Sequence, residues 1–528
     1  MLLWQYQREK CRPHFHGKGM VIGYLEDCVT GRGSKMADKW CIEEMGIPAV
    51  VLMERAALSL CDEILKDFNN NGKRIVIICG CGNNGADGLA AGRILINKGI
   101  DTKLYIVGNI NRASDEFNIQ YKILEKMKAD IINISDENSN DAMKFNDGDI
   151  IIDAIFGIGL SRSVEGNYKN IIDKINASNQ RVISADVPSG LCADRGVVMG
   201  CCVKADKTVT FGKIKSGLVL CDGKNYAGEI IVKDVGFLNA AYNNVDMVNE
   251  IYGFYGIEDL DIIPERVKNS NKGTYGTVTV IAGSKNMSGA AIMCAKAVYR
   301  CGAGIVKVIT HKECMDIVRN NIYEAIVEDY ENDIRISDSD IIVIGPGLSV
   351  CDKTKDLVKK VLESKCRAVI DADGLNVISQ NRELLYELHE NVIITPHIKE
   401  MSRLCGSDVS YIRENIADVS RKFSENYKCT SIIKDAASVI TDSRGSVTVN
   451  MSGNSGMSTG GSGDVLAGII GGMLSQGISV YESACVGVYL HGLAGDLAAD
   501  ELTEYSLMAT DIINAIPKAL KMKGNSEA

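Results

Sequence analysis

Near the C-terminal end of the chain, Gly460-Gly461-Ser462-Gly463-Asp464 runs without a break into the apolar stretch Val465-Leu466-Ala467-Gly468. Any fold that accommodates it must start a buried helix at a tight glycine turn. Backbone without side chains lets amide N–H groups converge at the helix start, where they and the positive end of the helix dipole hold an anion. Asp464 then lies beside that anion as a candidate base. A second and different glycine-rich stretch, Gly80-Cys81-Gly82-Asn83-Asn84-Gly85-Ala86-Asp87-Gly88, lies far upstream and implies a second site.

The rest of the chain suits such turns. Its 528 residues are enough for two or three domains, each with a full core. Aromatic content of 6% and a net charge of −10, with no long basic run, exclude a nucleic-acid groove and an anionic membrane surface. Anionic small molecules stay open, because local amides bind them whatever the global charge. No apolar run has membrane-spanning length and no signal-peptide core opens the chain, so a cytoplasmic location is expected. The 18 cysteines are scattered, many in apolar segments and without paired CxxC elements. They read as buried small hydrophobes in a reducing compartment, not as disulfides or metal ligands.

From residue 74 the pattern alternates β-rich runs with helical stretches. Strands are predicted at 74–79, 103–107, 150–154, 182–185 and 207–211, with a helix over 89–98 after the first. A second series has strands at 278–282, 305–309, 340–344, 368–371, 392–395 and 431–434, and an antiparallel pair at 438–441 and 446–450 joined by the turn 442–445. Two last helices are predicted near 464–474 and 480–500. Continuous apolar strands separated by helices indicate parallel sheets covered on both faces. The expected fold class is α/β, with two doubly wound three-layer domains. Between 238 and 267 the rhythm lapses into mixed sequence. The expected division is an extension of unassigned role over 1–27, a domain over 28–238, a linker over 239–261 and a domain over 262–525.

The upstream turn lacks both the GxGxxG register and a GK[ST] ending, so neither a dinucleotide fingerprint nor a P-loop fits. It is either a plain tight turn or, given its two Asn and one Asp, a polar ligand cradle. Asp153, in Asp153-Ala154-Ile155-Phe156-Gly157-Ile158-Gly159, and Asp186, in Asp186-Val187-Pro188-Ser189-Gly190, end two further strands. In an open parallel sheet such ends face one crevice where ligands bind, although either carboxylate alone also fits a helix cap. With Gly46-Ile47-Pro48 and Leu52-Met53-Glu54-Arg55-Ala56-Ala57, these motifs resemble the epimerase half of the NAD(P)H-hydrate repair enzymes, from about Val29 to Phe237. The resemblance implies a Rossmann-like domain that holds K+ through Asn84, Asp153 and Ser189. It implies a substrate site from Asn83, Asn84, Gly85, Ala86 and Asp87 and from Gly157, Ile158, Gly159, Leu160, Ser161, Arg162 and Ser163. Asp186 then lies near the reacting ring, as substrate contact and proton donor/acceptor for the leaving hydroxyl. Relatives commonly carry Gly where this chain has Ala86, so a positive φ there would be strained.

In the second series Gly283 to Ala291, Gly345-Pro346-Gly347-Leu348, Asp371 to Asn376, Thr395-Pro396-His397 and Lys434 to Ser438 each follow a predicted strand. His397 is either a structural residue or a ligand contact. Together with His491-Gly492-Leu493-Ala494-Gly495-Asp496 and Ala509-Thr510-Asp511, they resemble the ribokinase-like dehydratase half of the same enzymes, over about Ile262 to Lys523. The resemblance implies that Gly461, Ser462 and Gly463 form the anion hole for a transferred phosphoryl group and that Asp464 activates the acceptor hydroxyl. Ala290, Gly347, His397 and Asp464 then meet the hydrate. Lys434, Asp435, Ala436, Ala437 and Ser438, with the glycine turn, meet the nucleotide. Mg²⁺ with ADP or ATP, ADP being the expected donor, serves this half. Asp435 departs from the family's Lys-Gly pattern and is expected to face solvent.

The chemistry fits the motif. Hydroxide leaves poorly, whereas a phosphorylated hydroxyl can be expelled by the ring nitrogen. The implied activity is interconversion of the R and S hydrates, then dehydration of the S form, on NADHX and NADPHX as small-molecule partners. A homo-oligomer is the expected assembly. The competing readings are a ribokinase-like small-molecule kinase with an accessory ligand-binding domain, a first half that only binds, and a plain dehydrogenase. The linked epimerase-like half speaks against the first, the set Asn84, Asp153, Asp186 and Ser189 against the second, and the missing fingerprint against the third.

Overall fold

The computed structural model describes residues 27–68, 73–134, 143–332, 334–336 and 340–524. The expected extension over 1–27 lies outside them except for Asp27. Two units emerge, divided between Tyr252 and Gly253, inside the segment read as a linker.

The first unit opens with β1 (Asp27–Val29), α1 (Gly31–Glu43) and α2 (Ala49–Asp67). There follow β2 (Ile75–Cys79), α3 (Asn83–Asn97), β3 (Thr102–Val107), α4 (Asp115–Lys126), β4 (Ile131–Ile134), β5 (Ile150–Ala154), α5 (Gly166–Asn176), β6 (Arg181–Ala185), β7 (Lys207–Phe211), β8 (Ile214–Lys215) and β9 (Glu229–Lys233). Seven of these strands form a sheet in the order β4-β3-β2-β5-β6-β7-β9, parallel throughout. The unbroken apolar run of β2 divides between two cores. Ile75, Ile77 and Cys79 pack with α2 and α3, and Val76 and Ile78 face the layer holding α5. Side chains alternate across a pleated strand, so a strand covered on both faces has no polar position. Strand order reverses where β2 meets β5, so the loops after these strands open one crevice.

The second unit begins in β10 (Ile251–Gly253), whose Gly253 pairs with Thr448. Its further strands are β11 (Thr277–Ile281), β12 (Ile305–Thr310), β13 (Ile326–Asp329), β14 (Ile341–Ile344), β15 (Arg367–Ile370), β16 (Val392–Ile394), β17 (Thr430–Ile433), β18 (Val439–Thr441) and β19 (Val447–Val449). They lie in the order β13-β12-β11-β14-β15-β16-β17-β18-β19. β11 to β17 are parallel, and β18 and β19 form the antiparallel hairpin. The covering helices include α6 (Ser288–Arg300), α7 (Asp352–Glu363), α8 (Asp373–Gln380), α9 (Ile398–Cys405), α10 (Ile416–Tyr427), α11 (Ser462–Ser475), α12 (Val480–Leu502) and α13 (Ala509–Leu520). Leu466, Ile470 and Leu474 of α11 pack on the sheet through Val278, Val280 and Val343, while Val465, Ile469 and Met473 face α12 and α13. A helix apolar all round is a buried one. α11 also approaches α6 closely, because a Cβ on Gly468 would lie 2.3 Å from the carbonyl oxygen of Cys294.

Among the described residues no helix is long and apolar enough to cross a membrane. Seventeen described cysteines are free, and burial pushes many thiols up, Cys61, Cys429 and Cys485 to about 12. Thirteen of them are buried, as the scatter in the sequence implies, whereas Cys81, Cys201 and Cys405 are partly exposed and Cys351 is exposed.

Candidate active sites

In the first unit only Gly80 to Gly82 of the glycine-rich stretch form a loop ahead of the helix. Asn83 to Asp87 form the first turn of α3, six residues earlier than the helix predicted over 89–98. Ala86 is fully buried and helical, so the strain expected there does not arise. Strain sits instead at Asp186, with φ at 64°. That conformation is uncommon for a non-glycine residue and is held here by the Asp186 N–H bond to Val209 O, 2.7 Å.

The carboxylate of Asp186 is held on one side only. Its Oδ1 accepts from Lys215 Nζ at 2.6 Å, Thr210 Oγ1 at 3.2 Å and Phe211 N at 3.3 Å. None of these donors bonds Oδ2, which stays available to a ligand. Lys215 is 1% exposed and also donates to Phe211 O and Thr210 Oγ1. Burial, with the nearby Asp186 charge, pushes Asp87 well above the usual carboxylate range. Burial and Glu116 raise Asp38 on α1, with Lys215 pulling it back. Lys215 and Asp38 escaped the sequence reading. The available signal was the second lysine of Lys213-Ile214-Lys215, set directly before Ser216-Gly217-Leu218-Val219.

Asp153 and Ser189 meet as expected. Ser189 donates to Asp153 Oδ1 through its hydroxyl at 2.5 Å and to Oδ2 through its amide at 2.8 Å. Ser184 Oγ donates to Oδ2 at 2.8 Å. Burial raises the Asp153 carboxyl, and these donors pull it down, yet none of them carries a charge. Asn84 lies against Gly157, and its buried Nδ2 has no partner among the described groups. Gly157 to Ser163 follow β5 as a partly exposed rim, and the rings of Phe156 and Tyr168 meet at a tilt of 48° with centroids 4.8 Å apart.

In the second unit Gly461 adopts φ 92° directly before α11, where any side chain would be strained and a Cβ would strike Met293. Asp464 falls in the first turn of that helix. Burial, reinforced by Asp371, raises its carboxyl to about 7 against the opposing pull of Lys434. Lys434 Nζ donates to Asp371 Oδ1 at 2.8 Å, and Thr395 Oγ1 donates to the same oxygen at 2.7 Å. Burial opposes the Lys434 charge, but Asp371 and Glu400 outweigh it and raise the ammonium. A Cβ on Gly463 would lie 3.4 Å from Lys434 Nζ, so the cation borders the glycine turn. Asp371 opens the Asp371 to Asn376 motif, and the structure makes it the partner of that cation. Ala372, with φ 48°, holds Asp371 and Asp373 on either side of a strained residue. Burial lowers His491 to about 4, so it is a neutral imidazole, 3.3 Å from Ser462 Oγ.

His397 has a structural task. Its Nδ1 accepts from Lys399 N and Glu400 N and caps α9, while its own N–H donates to Glu400 Oε2. Its Nε2 lies 3.6 Å from Glu400 Oε1. Gly347, at φ 62°, lies against Ala290, joining two residues read as hydrate contacts. Ser438 follows Lys434 across a turn closed by Ser438 Oγ to Asp435 O at 3.4 Å. Asp435 is partly exposed and Ala437 is buried.

A family model described as YjeF-related protein N-terminus matches residues 49–217, and one described as NAD(P)H-hydrate dehydratase matches residues 278–518. The bifunctional NAD(P)H-hydrate repair enzyme Nnr of Thermofilum pendens is 33% identical over 505 residues, covering 92% of this chain and 95% of its own. That of Coxiella burnetii is 34% identical over 478 residues, covering 89% and 94%. A solved ADP/ATP-dependent NAD(P)H-hydrate dehydratase from Bacillus subtilis is 28% identical, covers 51% of this chain and 97% of its own, and has a TM-score of 0.47. With both halves matched in order and relatives aligned along nearly their whole length, the chain belongs to the bifunctional NAD(P)H-hydrate repair enzymes.

Proposed function

We propose that the first unit interconverts the R and S hydrates of NADH and NADPH and that the second dehydrates the S form at the expense of ADP or ATP. The observation that carries the reading is Asp464, a carboxyl at about 7 in the first turn of a helix entered through a left-handed glycine. A base near the working pH suits proton removal from an alcohol. Asp464 takes the hydroxyl proton at the hydrated ring carbon as that oxygen bonds to the nucleotide's terminal phosphorus. The bond to the nucleotide's leaving oxygen breaks. The amides around Gly461, Ser462 and Gly463 receive the developing phosphoryl charge, with Lys434 beside them. The nucleotide enters as its Mg²⁺ complex. The ring nitrogen's lone pair then expels phosphate, and loss of a proton from the adjacent ring carbon restores the dihydropyridine. Ala290, Gly347 and His397 line the hydrate side, and Asp435, Ala436, Ala437 and Ser438 the nucleotide side.

In the first unit the free Oδ2 of Asp186 serves the hydroxyl that leaves and returns, and Lys215 holds the carboxylate in place. Asn83 to Asp87 and Gly157 to Ser163 frame the substrate. K+ fits at Asn84, Asp153 and Ser189. Asp153 is a buried carboxylate compensated only by neutral donors, and turning the Asn84 amide over aims its oxygen where the unpartnered nitrogen now lies. Bound there, the cation supplies charge compensation.

Incubating the purified chain with mixed-epimer NADHX, Mg²⁺, K+ and ADP or ATP tests both halves. Near-complete recovery of dihydronicotinamide absorbance is expected. A stable phosphorylated product without NADH would identify a kinase instead.

A further inference from the structure

α1 begins after Thr30, whose hydroxyl accepts from Gly33 N at 2.9 Å. Its residues Arg32, Lys35 and Lys39 recur at helical spacing on one exposed face. Cations on a surface helix are usually a solvated face, but this face is concave. With Arg195 and the rim residues Ile158 and Ser161, it lines a cavity of about 380 Å³. Four cations and one carboxylate, Asp194, face that space in a chain of net charge −10. Asp194 Oδ1 is engaged by the backbone N–H of Arg32 at 2.9 Å. Arg32 lies 3.6 Å from Glu250, and Lys39 lies 3.6 Å from the exposed Glu43. Lys35 forms no ion pair among the described residues. A cleft lined by one sign of charge concentrates ligands of the other sign.

The cavity shares three lining residues with the rim proposed for the epimerase site. Ile158, Leu160 and Ser161 belong to the rim that frames the substrate, and Asp38, between Lys35 and Lys39 in the chain, feels the charges of Lys215 and Asp186. One helix therefore presents a carboxyl toward the reacting end and cations toward the cavity. A helix with its side chains is about 10 Å across, comparable with the reach from a nicotinamide ring across its ribose to a phosphate.

We infer that Lys35 and Lys39 form a phosphate subsite of the epimerase site, holding the phosphate-bearing part of the dinucleotide hydrate while its ring lies at Asp186. The inference rests on the epimerase reading of this unit. Two phosphates share the chemistry, the diphosphate bridge of both hydrates and the 2′-phosphate of NADPHX alone.

The test uses the full chain carrying K35Q and K39Q together, with epimerisation of purified (R)-NADHX and (R)-NADPHX followed by chromatography. KM is expected to rise about tenfold, the scale of charge-assisted hydrogen bonds discounted for solvent, while kcat stays within about twofold. K35R with K39R is expected to hold KM near the parent value. A rise for both hydrates assigns the diphosphate, and a larger rise for NADPHX assigns the 2′-phosphate. An unchanged KM for both hydrates, or a lower kcat at unchanged KM, overturns the subsite. A parent chain that does not epimerise overturns the reading beneath it instead.

Discussion

Asp464 combines burial with a neighbouring negative charge, and both favour its neutral form. The base role proposed for it requires the ionised form, so dehydration is expected to be fast above the carboxyl's value and slow below it. At saturating hydrate and nucleotide, kcat is expected to rise with pH through about 7, falling about tenfold per unit on the acid side. Asp464→Asn is expected to lower kcat by about 10²–10⁴-fold, the usual worth of a positioned general base, and to abolish the pH step. A pH series of single-turnover dehydration on both proteins checks this, and a step that persists in the Asn variant would assign it to another group. Asp186 poses the opposite problem, since its position depends on Lys215. Lys215→Met is expected to cost about 3–5 kcal/mol, because it leaves a largely buried carboxylate unpaired. Thermal melts and epimerisation assays report both losses. The sequence shows Asp186, Asp464 and Lys434, but neither Lys215 nor which carboxylate each cation pairs with. Asp186 and Lys215 are 29 residues apart, and Asp371 and Lys434 are 63 apart. No local pattern encodes either pair.

At the scale of elements, α11 carries the glycine turn at one end and the helix contact with α6 along its length. Gly468 permits that contact. Gly468→Ala is expected to force the two helices apart and cost about 1–3 kcal/mol, the range of core overpacking. The displacement also moves the first turn, so dehydration is expected to fall while epimerisation is kept. A scanning-calorimetry trace with both assays on the same preparation measures this, and unchanged melting would show that the helices slide freely. The central strands were legible because burial on both faces removes polar residues from them. β4 and β13 were not, since each is a sheet edge with partly exposed side chains and reads as mixed sequence. The start of α3 was missed for another reason. Its first turn is built from Asn83, Asn84 and Gly85, residues that favour turns and so hide a helix start from sequence pattern.

For the molecule as a whole, the division between Tyr252 and Gly253 gives each unit its own sheet, core and centre. The residues proposed for epimerisation lie before it and those for dehydration after it. Single lesions should therefore separate the two activities. Asp186→Asn is expected to lose epimerisation and keep nucleotide-dependent dehydration of (S)-NADHX, so recovery from mixed epimers halts once the S form is spent. Asp464→Asn is expected to equilibrate the epimers and regenerate no NADH. A hydrate molecule released by one protein is free to diffuse to another. Equal amounts of the two variants mixed together are thus expected to restore the parent yield from mixed epimers, at a rate that increases with protein concentration. The yield, read as dihydronicotinamide absorbance after exhaustion of substrate, distinguishes the possibilities. Restoration means that two self-sufficient centres share one dissolved intermediate, whereas failure despite both single activities would mean that the hydrate must stay within one chain.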